Sequence, residues 1–156
     1  MIPKSCNAPY EELSEYADTI VYGSVKYTDY DGIGTSLSPR AGHILGRPLP
    51  DVIFSGHRHM NEAGVMFIMP GELIIENSEI DVTHPDIIKI VGRPVRQLAS
   101  PFNHLDSADF DGDGHDELIV TADNDLCAGL NSGAVYVLNG GKIVDGWQKL
   151  KSRHMN

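Results

Sequence analysis

Residues 108–122 read ADFDGDGHDELIVTA, an acidic loop punctuated by glycine that runs directly into an apolar, β-branched segment. Asp109, Asp111 and Asp113 alternate along the chain, so an arched backbone can aim three carboxylates at one point. Gly112 and Gly114 permit the curvature this needs. His115 can turn its main-chain carbonyl inward, and Glu117, or failing it the adjacent Asp116, can close the far side. The result is an all-oxygen cage for a hard cation. Ca²⁺ suits it, because calcium accepts many flexible oxygen ligands, whereas Mg²⁺ keeps several waters and a strict octahedron. Without a cation, carboxylates crowded this closely repel one another.

The loop begins like an EF-hand and then departs from one. An EF-hand requires a bidentate glutamate at its twelfth position and a helix on either side. Counted from Asp109, the twelfth residue is Val120, inside a run that reads as a strand. The same count excludes a dockerin-like repeat.

Working outward, the chain repeats itself. DVIFSG (51–56) matches ELIVTA (117–122), an offset of 66 residues. AGVMFIMPG (63–71) matches SGAVYVLNG (132–140), and TIVYG (19–23) matches IKIVG (88–92), both at an offset of 69. Three segments in the same order mark a duplicated unit. Each is short, rich in Val, Ile, Phe and Tyr, and bounded by turn residues, which predicts strands. Val65 to Met69 is apolar without a break, which predicts burial on both faces. No helical period stands out apart from a short turn over Pro9 to Tyr16. Short strands with a long repeat period predict an all-β fold, a radially repeated sheet of propeller blades.

These residues resemble FG-GAP repeats, the blade units of the integrin α-subunit β-propeller and of related bacterial proteins. The resemblance rests on ADFDGDGHDELIVTA (108–122) and NSGAVYVLNGG (131–141), with a weaker glycine-rich start in VYGSVKYTDYDGIGTSLS (21–38). It implies two four-stranded antiparallel repeats, one over 19–92 without a metal loop and one over 93–141 with it, flanked by an extension (1–18) and a tail (142–156). It makes Asp109, Asp111, Asp113 and Glu117 side-chain ligands of Ca²⁺, with His115 giving a main-chain oxygen. The family usually has Asp where this chain has Glu117, which leaves bidentate ligation there less defined. It also implies a non-catalytic binding, adhesion or scaffold unit, extracellular or at the cell surface, with a protein or glycan ligand.

In the first unit the same offset places His43, Leu45 and Arg47 opposite the three loop aspartates, and only Asp51 remains, opposite Glu117. This unit is expected to hold no metal. Arg47 either stands in for the ion and pairs with Asp51 or is a surface side chain.

Expected strands lie near 19–25, 36–45, 51–56, 64–70, 87–92, 104–110, 117–122 and 133–139, with no clear strand after Gly141. Two blades cannot close a ring, and open sheet edges invite pairing. The expectation is therefore either part of a larger propeller or a homo-oligomer, a trimer or tetramer ring in which each copy lends its first strand to a neighbour.

The formal net charge of −10 argues against nucleic acid, whose phosphates call for a basic face. No segment approaches the roughly 18 apolar residues needed to span a bilayer. Met1 to Tyr10 has no apolar signal core, so the chain is either intracellular or a piece of a longer secreted one. Cys6 and Cys127 leave pairing open.

The rival to a binding unit is catalysis. His57-Arg58-His59 follows a strand and offers two imidazoles to a transition metal, without an evident third ligand. No nucleophile elbow or phosphate loop stands out. The resemblance implies an alternative to the binding unit, a non-catalytic fragment or accessory domain of a secreted hydrolase. Loops 61–62 and 123–131, the turn holding Tyr27, Tyr30 and Asp31, and Trp147 are further candidate contact points.

Overall fold

The computed structural model describes residues 16–24, 32–40, 42–56, 64–92, 101–122 and 132–154. The His57–His59 segment, loops 61–62 and 123–131, the Tyr27–Asp31 turn, both cysteines and all but the end of the Pro9–Tyr16 turn lie outside them.

Strand β1 (Ile20–Tyr22) leads to β2 (Ile33–Leu37), β3 (Val52–Gly56) and β4 (Val65–Met69). A short helix α1 (Gly71–Glu76), β5 (Glu79–Asp81) and β6 (Ile88–Val91) follow. The second half holds β7 (Pro101–Ala108), β8 (Glu117–Ala122), β9 (Ala134–Leu138) and a 15-residue helix α2 (Gly140–His154). Among these, β2-β3-β4-β6 and β7-β8-β9 form two antiparallel sheets, and β1 pairs in parallel with β5 in a third.

Among the described residues the fold is mixed α/β: three small separate sheets, none closed, with helices α1 and α2 packed on them. This corrects the expected all-β pair of propeller blades, and the ring of copies built on it has no footing. Two features overturn it. The first strand does not stand ready for a neighbour, because Ile20, Val21 and Tyr22 pair with Glu79, Ile80 and Asp81 of the same chain. The segment after Gly141 is a helix whose Ile143, Val144 and Trp147 recur at helical spacing and pack on the core. Asn139 starts that helix, its side-chain Oδ1 accepting the Lys142 N–H at 2.9 Å as an N-cap does. At the far end Lys151 bonds to Asp86 and lies 4.0 Å from the centre of the Trp147 ring. Lys151 thereby holds Asp86 below the usual carboxylate range.

Strand β4 is buried on both faces, as its unbroken apolar run predicts, and β3 is buried on both faces beyond Val52. Ile53, Met66 and Ile68 face a core shared with Leu105, Leu118 and Val120 of the second sheet and with α2. Their alternates Phe54, Val65, Phe67 and Met69 face α1, β5 and the 82–87 turn. Phe54 and Phe67 are cross-strand partners with ring centroids 5.0 Å apart. Thr19 Oγ1 lies 2.7 Å from Ile74 O and 2.8 Å from Asn77 O, meeting carbonyls that the end of α1 leaves without partners. This β3–β4 slab carries, on its second-sheet side, the loop that forms the candidate site.

Candidate metal centre

The acidic loop spans the link between β7 and β8. It turns on Gly112 (φ 77°) and Gly114 (φ 87°), a backbone region that a Cβ disfavours. Its carboxylates fold back onto its own N–H groups. Asp109 accepts Gly112 N at 2.7 Å through Oδ1 and Gly114 N at 3.2 Å through Oδ2. Asp111 Oδ1 accepts Asp113 N at 3.2 Å, and Asp113 Oδ1 accepts His115 N at 2.8 Å. Glu117 begins β8 with a side chain that is 6% exposed. Its Oε2 accepts Phe110 N at 3.0 Å and its Oε1 accepts Asn139 Nδ2 at 3.1 Å. Each carboxylate oxygen in these bonds keeps a second lone pair for another partner.

Among the described residues, Asp109, Asp111 and Glu117 each present an oxygen within 4.8 Å of the others. That spacing fits the coordination sphere of a hard cation: Ca–O distances of about 2.3–2.6 Å give a sphere about 4.6–5.2 Å across. The donor set is all oxygen and anionic, so a divalent cation is the group it can coordinate. Two members are exposed and one is buried, which leaves a face open for solvent ligands.

Of the five residues read from the sequence, three converge. Asp113 stands outside that group of three, with its Oδ1 engaged by His115 N. His115 is half-buried, and its ring Nδ1 donates to Ile44 O at 2.9 Å, a carbonyl that can only accept. Asp116, the alternative closing ligand, turns away from the three: its Oδ2 accepts His43 N of the first unit at 3.0 Å and Ser107 Oγ of β7 at 3.1 Å.

The residue that sequence reading missed is Asn139. Its two side-chain atoms cap α2 and hold Glu117 at once. Its signal was available: an asparagine directly ahead of an apolar segment with helical spacing.

In the first unit Arg47 pairs with Glu72 at 3.5 Å and not with Asp51. Asp51 is fully buried. Its Oδ2 accepts Leu45 N at 2.9 Å, while Oδ1 finds no hydrogen-bond partner among the described residues. Burial pushes its carboxyl up to about 6, against the pull of the Leu45 N–H and of Arg47. Asp51 and Glu117, which the internal repeat aligns, are thus both buried acids that accept an N–H from the preceding loop.

The FG-GAP repeat family model matches residues 103–138. The chain carries one FG-GAP repeat. The matched span runs from within β7 to the end of β9 and contains the whole acidic loop, while the unit over 19–92 lies outside it. No curated protein and no solved structure matches the chain. No helix among the described residues is long and apolar enough to cross a membrane.

Proposed function

We propose that this protein is a calcium-binding, non-catalytic binding module whose FG-GAP repeat is organised by one cation held by Asp109, Asp111 and Glu117. The observation that carries this reading is the convergence of those three oxygens within 4.8 Å on a loop with the repeat's D-x-D-x-D-G spacing. Asp113 and the main-chain oxygen of His115 complete the set once the cation draws the loop inward. Bound calcium supplies positive charge at the point where the carboxylates converge. The chain's own part is to hold those carboxylates in place, through the Gly112, Gly114 and Phe110 N–H groups and Asn139.

Calcium is favoured over magnesium because the ligands come from one bending loop, which supplies many oxygens without a strict octahedron. Two exposed ligands and an open face suit the affinity of extracellular modules, about 10⁻⁴–10⁻³ M. The FG-GAP resemblance supports a role at or outside the cell surface, where a protein or glycan is the partner. Titration calorimetry tests the reading. CaCl₂ is expected to bind with one-to-one stoichiometry in that range and MgCl₂ at least tenfold more weakly. Equal affinities for the two would contradict calcium selectivity, and no heat with either would contradict the site.

A further inference from the structure

The cation loop is bolted to the neighbouring sheet through its back. His43 and Asp116 exchange two bonds, Asp116 N donating to His43 O at 3.2 Å and His43 N to Asp116 Oδ2 at 3.0 Å. The His115 ring donates to Ile44 O at 2.9 Å. The next residue, Leu45, donates its N–H to Asp51 Oδ2, and Asp51 leads straight into β3 while its backbone bridges Gly42. Gly46 packs so closely that a Cβ there would overlap His115 Cε1, and its φ of 62° disfavours any side chain besides. A contiguous chain of bonded groups therefore joins Glu117, beside Asp116 in sequence, to the start of the buried β3–β4 slab.

Resting on the cation reading above, we infer that Asp116 is a positioning residue that transmits cation occupancy of the 109–117 loop to the 42–51 loop of the first sheet. Ligation fixes the backbone of residues 109–117, and the direction of the Asp116 carboxylate and the His115 ring is set by that backbone. With the loop fixed, the Asp116 Oδ2 acceptor and Asp116 N–H donor that hold His43, and the His115 ring donor that holds Ile44 O, stay in place. With the loop free, the 42–47 turn loses three anchors to a neighbouring element at once. The coupling is reciprocal: the factor by which the cation favours the bonded 42–47 turn is the factor by which that bonded turn favours the cation.

Hydrogen–deuterium exchange of the full chain with CaCl₂ and with EGTA tests this. In the wild type, calcium is expected to slow exchange several-fold in residues 109–117 and also in 43–46. In Asp116→Ala the slowing persists in 109–117 and is lost at His43, whose N–H loses its acceptor. Asp116→Asn, which keeps an oxygen to accept from His43 N and Ser107 Oγ, restores it. By reciprocity Gly46→Ala raises the calcium Kd about fivefold or more. Slowing in 109–117 without slowing in 43–46 of the wild type would overturn the coupling and leave the cation site standing. No calcium effect in either segment would overturn the site itself, and the inference with it. Wild-type slowing at His43 in Asp116→Ala would remove Asp116 from the path, and an unchanged calcium Kd in Gly46→Ala would contradict the coupling of the 42–47 turn to the site.

Discussion

Asp109→Ala is expected to abolish the rise in melting temperature that calcium gives the wild-type protein. A ligand bound only by the folded state stabilises it by about 2.7 kcal/mol at a hundredfold excess over Kd. For a chain of this size that corresponds to a rise of about 5–10 °C. Asp109 is the residue to remove because both its oxygens organise the loop, one through Gly112 and one through Gly114, while it also belongs to the converging three. The alanine variant therefore loses a ligand and the arch that shapes the rest. Asp109→Asn separates the two effects. Its amide oxygen still accepts the Gly112 N–H, so the melting temperature in EGTA stays near that of the wild type, while most of the calcium response goes with the charge. Differential scanning calorimetry of the three proteins in calcium and in EGTA decides. A full calcium response in Asp109→Ala would contradict the site.

The second large effect belongs to Asp51 and runs with pH. Its carboxyl is buried and titrates at about 6, above the ordinary 3.8 of the unfolded chain. The folded state therefore holds the proton more tightly than the unfolded state does. Well below the unfolded value of 3.8 the residue costs nothing, because both states are protonated. As pH rises from about 4 to about 6 the unfolded chain gives up its proton while the folded state still holds it, so stability declines until the buried carboxyl ionises too. A shift of roughly two units is worth roughly 3 kcal/mol.

Arg47 and His43 ease that charge and Glu72 adds to it, but the loss of water is the largest effect. Asp51→Asn keeps an oxygen for the Leu45 N–H and removes the ionisation. Its advantage over the wild type, measured by urea unfolding, is expected to be about 2–3 kcal/mol at pH 7.5 and to vanish well below pH 4. Parallel stability curves across that range would contradict the assignment. The cation ligands shape both proteins' curves alike, so the difference isolates Asp51.

Particular residues show what the sequence could and could not reveal. Segments 51–56, 64–70, 87–92, 117–122 and 133–139 all hold strands, because a fully apolar or alternating run bounded by turn residues is a local signal. The alignment of Asp51 with Glu117 at an offset of 66 was legible too, and both prove to be buried acids gripping the loop before them. Helix α2 was hidden by Gly140, Gly141 and Gly146, which read as turn punctuation although Ile143, Val144 and Trp147 keep a helical spacing.

The parallel pairing of β1 with β5 is not written locally at all. It joins Ile20 to Glu79 across most of the first unit, and only packing against Phe67 and its neighbours decides it. Within the site, the D-x-D-x-D spacing pointed to the carboxylates. It could not say that Asp116 and the His115 ring turn away toward His43 and Ile44, since those partners lie more than 70 residues distant. Arg47 fails for the same reason: its acid, Glu72, comes from α1, a helix the strand pattern did not announce.

The central claim is that one divalent cation sits among Asp109, Asp111 and Glu117. A crystal grown in calcium and measured at a long wavelength tests it most directly. An anomalous peak is expected about 2.3–2.6 Å from an oxygen of each of the three. Well-ordered carboxylates in the same map with only water between them and no anomalous signal would contradict it.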